Sequence, residues 1–233
     1  MIREFTFGEA MFLVAAVRWT VLLAALAFIG GSVVGLIFAV LRVSKGKLPR
    51  AAAIVYIKLF QGTPLLMQLY LVYFGANLLG LQADAWLAAA LGLTFYTSAF
   101  LAEIWRGCIE AIPRGQWDGA RAMALSPLLQ LRLVILPQAL RIAIPPTVGF
   151  MVQVLKGTSL ASIIGFVELT RAAQMVNNAT FRPFIVYGLV AALYFMLCWP
   201  LSAYSRRLEQ RLGQQAGQRP GRVVLTPAKL AAQ

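Results

Sequence analysis

The chain has 233 residues, 60% hydrophobic and only 12% charged, with a mean hydropathy of +0.76. A soluble globular domain carries about 25% charged residues, so this composition excludes a soluble fold and indicates an all-α integral membrane protein. The net charge of +13 does not indicate nucleic acid, because no basic–aromatic platform stands outside the apolar segments.

In chain order, five stretches reach the length needed to cross a bilayer, about 20 residues at 1.5 Å rise each. They cover roughly residues 11–41, 53–79, 85–108, 139–165 and 184–204. Ala25-Leu26-Ala27 resembles a signal cleavage site, but the apolar run continues through Val40 and the leading residues are not basic overall. A retained first span is therefore expected. The second stretch is interrupted at Gln61, Thr63 and Pro64, the fourth at Lys156, Gly157, Thr158 and Ser159. No internal repeat divides the chain. Residues 1–212 are expected to form one membrane domain, and residues 213–233, rich in Gly, Gln and Pro, a disordered cytoplasmic tail.

Basic residues set the orientation. Arg42, Lys45, Lys47 and Arg50 follow the first span, and Arg106, Arg114, Arg121, Arg132 and Arg141 surround the connection after the third. Arg206, Arg207, Arg211, Arg219, Arg222 and Lys229 follow the fifth. The opposite side has Arg3, Arg18, Arg171 and Arg182, accompanied by Glu4, Glu9, Asp84 and Glu168. Cytoplasmic loops collect Lys and Arg, so the N-terminus is expected outside, the C-terminus inside, and the connection 109–138 in the cytoplasm.

Within that connection, Pro113–Pro137 is too polar to span and too regular in its Ala and Leu spacing to be slack. Pro113 and Pro127 each fit the first turn of a helix, and Ser126 is placed to cap the second. Two short helices outside the membrane are expected. In the first, Gln116, Ala120 and Ala124 fall four apart on one face with Gly119 beside them, small enough for another protein's backbone to approach closely. The alternative is an amphipathic helix lying on the bilayer surface.

The chemistry is narrowed by two absences. The chain has no histidine and no G-x-x-x-x-G-K-[ST] loop, so it does not cradle a nucleotide's phosphates by itself. Cys108 and Cys198 show no ligand or redox spacing and read as buried structural thiols. Covalent catalysis, a resident cofactor and a metal site are not expected.

Read together, these segments resemble the inner-membrane permeases of bacterial ABC importers, in the polar amino acid branch. The family's cytoplasmic loop has a Glu-Ala-Ala triplet, a Gly a few residues later and an Ile-x-x-Leu-Pro type ending. The matching positions here read Asp118-Gly119-Ala120, Ala124 and Ile135-Leu136-Pro137. Further similar stretches are QGTPLLMQLYLVYFG from Gln61, TSAFLAEIWRGCIEAIPRGQW from Thr97 and LKGTSLASIIGFVELTRA from Leu155. The resemblance covers about residues 15–211.

This resemblance implies a type I-like importer whose first cytoplasmic helix is a coupling helix docked on a separate ATPase subunit. The implied coupling positions are Gly115, Gln116, Trp117, Asp118, Gly119, Ala120, Arg121, Ala124 and Leu125. Asp118 stands where the family's Glu meets the ATPase, one methylene shorter, and Gly119 in place of Ala costs about 1 kcal/mol of helix propensity. Implied partners are a pair of ABC ATPase subunits that bind ATP and Mg, a second permease subunit (identical or sister), an extracytoplasmic substrate-binding protein and a polar amino acid.

Candidate path residues follow from polarity at membrane depth. Glu103 has Arg106 one turn later on the same face, either as a structural ion pair or with a share in the substrate path. Lys156 precedes the break at Gly157, and unwound backbone at that depth is tolerated only where it is buried in protein or lines a wet cavity. Thr158 and Ser159 thus either line the path, as broken helices do in transporters, or sit in a packed kink. Gln61, Thr63 and Gln153 offer neutral donors and acceptors for a zwitterion, or interhelical hydrogen bonds. Glu168, expected near the outer face, either attracts a cationic group, contacts the binding protein or is solvated. Two other readings differ in class. An ion-coupled carrier or channel working alone has only Glu103 as a membrane acid. A membrane anchor leaves the polar break in span four unexplained.

Overall fold

The computed structural model describes residues 4–44 and 46–215. Among these the chain is helical, and it begins with α1 (Phe7–Val43), whose first turn is closed by the Glu9 carboxylate accepting the Thr6 N–H at 2.9 Å. At 37 residues α1 is about 55 Å long, more than a bilayer core of about 30 Å requires. It packs along α4 (Ala85–Glu110) through small residues. A Cβ on Gly31 would fall 2.5 Å from Thr97 Cγ2, and one on Gly35 2.9 Å from the Ser98 carbonyl. Only glycine permits that approach. The N-terminus of α4 is capped by Asp84, which accepts the Leu87 N–H at 2.7 Å.

Between them lie α2 (Lys47–Gly62) and α3 (Leu65–Leu78), bent by 103° at Thr63-Pro64. Pro64 cannot donate a backbone hydrogen bond, and side chains take over the carbonyls so freed. Buried Gln68 donates from Nε2 to the Phe60 carbonyl at 2.7 Å and the Thr63 carbonyl at 3.0 Å, and Thr63 Oγ1 donates to Leu59 at 2.8 Å. The second expected span is therefore two helices around a sharp elbow.

After α4 comes the short α5 (Arg114–Ala122), with Pro113 immediately before it as its N-cap. The second short helix does not form a separate unit. Instead α6 (Pro127–Leu129) runs through a π-helical turn, Gln130–Ile135, into α7 (Leu136–Gly157), which tightens into a 3₁₀ segment, Thr158–Ile164. Pro127–Ile164 is thus one continuous helical stretch of 38 residues, apolar enough within it to cross a membrane. Gly165, at φ +91°, ends it. A shorter helix, α8 (Leu169–Thr180), precedes α9 (Pro183–Gln215). Four helices meet the length and hydropathy of a span, and the bent pair makes a fifth if it crosses as one. The tail expected after Leu212 begins within α9, and its residues 216–233 lie outside those described.

Candidate functional site

Helix α5 is held against the π turn and α7 through part of the face expected to be free. Ala120 is 4% exposed, and Trp117 packs against the cluster of Ile112, Ile135 and Ala139. Gln116 Oε1 accepts from Gln138 Nε2 at 3.1 Å, and Gln138 also donates to the Val134 carbonyl at 2.7 Å. The expected docking face is thus corrected at Ala120: packing of the half-buried indole turns it toward α7 and the π turn. What α5 presents outward is Arg114, Gly115, Gln116, Asp118, Gly119, Arg121 and Ala122. A Cβ at Gly115 or Gly119 would meet no heavy atom within 4 Å. Asp118 pairs with Arg121 at 3.2 Å, both side chains about two-thirds exposed at 67% and 65%, a geometry worth under about 1 kcal/mol.

Past α5 the chain turns through Ala124, which holds a left-handed φ of +55° while its N–H donates to the Arg121 carbonyl at 2.9 Å. Ala124 therefore belongs to the turn and does not continue the face of Gln116. Leu125 is half-buried, and its carbonyl accepts Gln130 Nε2 at 2.7 Å. Ser126 precedes Pro127 as expected, but its side chain makes no capping hydrogen bond. The buried amide of Gln130 secures this corner instead.

Glu103 is paired. Arg106 Nε donates to Glu103 Oε1 at 2.8 Å, and the other guanidinium nitrogens reach Glu103 and Glu110. Glu110 was signalled by its i,i+4 spacing from Arg106, a relation passed over in the sequence.

Along the expected path the residues separate into three environments. Gln61 lies exposed on α2 with its amide 3.3 Å from the Ala99 carbonyl of α4, and Thr63 sits half-buried in the elbow. Gln153 and Lys156 lie on the exposed face of α7, where Lys156 borders a groove shared with Tyr194, Trp199, Ser202 and Arg206 of α9. Thr158, by contrast, is fully buried. The expected unwinding at Gly157 is replaced by a tightening in which the backbone stays right-handed, at φ −60° and ψ −27° for Thr158. Hydroxyls satisfy the local carbonyls, Thr158 donating to Leu155 and Ser159 to Lys156, each at 2.7 Å.

Glu168 is a correction too. It is neither solvated nor available to another protein, being completely buried within the protomer. Its Oε1 accepts the Arg171 N–H at 2.9 Å as the N-cap of α8, and its Oε2 accepts the Tyr194 hydroxyl at 2.9 Å. Burial pushes its carboxyl above the usual carboxylate range, opposed by the bonds it accepts from Thr170, Arg171 and Tyr194. The first amide of α8, Leu169, donates to buried Thr20 of α1 at 3.1 Å. Tyr194, whose hydroxyl also contacts Thr170 Oγ1 at 3.1 Å, joins Glu168 to α9. Its one signal in the sequence was a hydroxyl inside the apolar run from Val186 to Trp199.

A bundle of apolar helices long enough to cross a membrane, carrying a short polar helix packed at one end, is the architecture of an integral membrane subunit. Residues 31–214 match the family of binding-protein-dependent transport system inner membrane components, and the chain belongs to that family. It is 32% identical over 200 residues to the probable amino-acid ABC transporter permease protein YckA of Bacillus subtilis (strain 168), covering 86% of this chain and 88% of that protein. It is 34% identical to the nopaline transport system permease protein NocM of Agrobacterium fabrum (82% and 83% covered). It is 33% identical to the glutamine transport system permease protein GlnP of Escherichia coli (strain K12) (86% and 92% covered). Among solved structures, that of an amino acid ABC transporter with histidines superposes with a TM-score of 0.82 at 34% identity, covering 86% of this chain and 94% of the other. The fold is shared with the inward-facing MetNI methionine ABC transporter, at a TM-score of 0.72 and 20% identity.

Proposed function

We propose that the chain is the permease subunit of an ABC importer that carries a polar amino acid across the bacterial inner membrane. Two such subunits, identical or sister, would work with a pair of ATPase subunits and an extracytoplasmic binding protein, ATP and Mg being bound by the ATPases. The observation that carries this reading is α5, a helix with an exposed polar face whose opposite face is locked to the start of α7 by Trp117 and Ala120. Relatives named as amino-acid, glutamine and nopaline permeases support the substrate class.

In this reading, closure of the ATPase pair pushes on Gly115, Asp118, Gly119 and Arg121. Because Ile135 and Ala139 lie in the same cluster as Trp117, the push passes directly into α7, which bears Gln153 and Lys156 on its exposed face. Driving a two-state path from 1:99 to 99:1 takes about 5.5 kcal/mol of differential binding. A helix pinned by a packed, half-buried indole and by buried Ala120 transmits such a load; a loosely tethered one would absorb it. Gln61, Thr63, Gln153, Lys156 and Ser159 remain the proposed polar contacts of the path. Glu103 is held by Arg106, which weighs against a proton carrier acting alone. Residues 1–212 would act as one membrane domain, N-terminus outside and C-terminus inside. The test is uptake by the reconstituted permease, ATPase and binding protein. ATP-dependent accumulation of an amino acid that also stabilises the binding protein is expected, and uptake without the ATPase subunits would overturn the assignment.

A further inference from the structure

With its ring packed against the cluster of Ala24, Val152 and Leu155, Tyr194 of α9 brings its hydroxyl to the N-terminus of α8. Its one proton is committed. Glu168 Oε2 lies 2.9 Å away and, as a carboxylate oxygen, accepts. The contact with Thr170 Oγ1 at 3.1 Å must then run the other way, threonine donating to tyrosine. This gives a directed chain from Thr170 through Tyr194 to Glu168. The two carboxylate oxygens serve different elements: Oε1 caps α8 through the Arg171 N–H, and Oε2 holds α9. Glu168 is fully buried and Thr170 and Tyr194 are half-buried, and a satisfied network at such depth fixes one arrangement of the elements it joins.

Resting on the permease reading, we infer that Tyr194 is a positioning residue for transport: its hydroxyl ties α8 to α9 while its ring packs against Leu155 near the end of α7, so that displacement of α8 reaches the 3₁₀ end of α7. Nothing in this role requires Tyr194 to touch the amino acid. It requires the hydroxyl and a hydrogen-bonding partner for it at Glu168, donor or acceptor, with the ring kept against α7. Thr20, which binds the Leu169 amide at 3.1 Å, anchors the same end of α8 to α1 and leaves α9 as the partner that Tyr194 alone engages by hydrogen bond.

The test uses the complete importer in liposomes with saturating binding protein and amino acid. Tyr194→Phe removes one oxygen without changing shape. It should lower uptake at least tenfold and abolish the stimulation of ATP hydrolysis by loaded binding protein, with assembly and unstimulated hydrolysis kept. Glu168→Gln should stay within about threefold of the parent. Its Oε1 still caps α8 while its amide donates to Tyr194, whose proton turns back toward Thr170. Thr170→Val, which leaves the Tyr194–Glu168 bond intact, should fall between the two. Equal uptake by Tyr194→Phe and the parent would overturn the inference, and so would losses in all three variants that merely track thermal stability. A Tyr194→Phe complex that fails to assemble also counts against it, since the hydroxyl would then be a folding requirement. If the parent complex itself shows no ATP-driven uptake, the permease reading fails, an outcome distinct from all of these.

Discussion

An alanine in left-handed backbone pays a steric cost at position 124, where φ is +55°. For an L-residue that region costs about 1–2 kcal/mol, and glycine escapes it while losing about 0.5–1 kcal/mol of chain entropy. Ala124→Gly should therefore stabilise the detergent-solubilised complex by about 0.5–1 kcal/mol, read as a higher midpoint of thermal unfolding. At Asp118 the sign of the surface is at stake. The side chain is 67% exposed, so Asp118→Arg should change stability by no more than about 0.5 kcal/mol. It should nonetheless cut ATP-driven uptake several-fold, and uptake at the parent rate with the ATPase bound would show that docking lies elsewhere on α5. Glu168 carries a pH signature. Its carboxyl is raised from 4.5 by burial, so the folded state holds its proton more tightly than the unfolded chain. The stability it contributes is complete below about 4.5 and is lost as pH rises through the folded value. Measured from acid toward neutral, Glu168→Gln should gain on the parent.

Labelling distinguishes the elements. With Cys108 and Cys198 replaced, cysteines at Gln153 and Lys156, on the exposed face of α7, should react with a small water-soluble thiol reagent and respond to trapped ATP. A cysteine at fully buried Thr158 should stay as inert as one at Val190, which is 7% exposed. Rapid reaction at Thr158 would mean that the 3₁₀ end opens to water. Much of this arrangement was legible in the sequence. Hydropathy marked the spans, Pro64 the elbow and the prolines before Arg114 and Leu128 the starts of α5 and α6. The rotation of α5 was not read, although Trp117 carried the signal. In a nine-residue helix small residues outline several faces, and the single large apolar side chain decides which is buried. Nor was the π turn legible, because it reflects how α5 and α7 pack together and has no residue code of its own. Glu168 escaped for a third reason. Its burial depends on Tyr194, 26 positions away, and periodicity along a helix does not report such a pairing.

For the whole molecule the bent pair decides parity. Counting it as a crossing gives five spans and termini on opposite sides; counting it as a re-entrant hairpin gives four and termini on the same side. Only the crossing leaves Arg42, the α5 basic residues and Arg206-Arg207 together in the cytoplasm, as the preference for internal Lys and Arg demands. Tags at the two termini should thus be accessible from opposite faces of sealed vesicles, and accessibility from one face would make α2–α3 a hairpin. The π turn at Gln130–Ile135 bears on the same architecture by way of helical phase. Such a turn absorbs one surplus residue, equivalent to about 100° of rotation in an α-helix. Ahead of it the chain is in register with the cytoplasmic helix, and behind it with the spans. Deleting a single residue there would let the α-helix run uninterrupted and swing the α5 platform by more than a quarter-turn. Every contact residue would survive, yet the ATPase would meet the wrong side of a sound helix. In this stretch the number of residues is as much a part of the transport machinery as their identity.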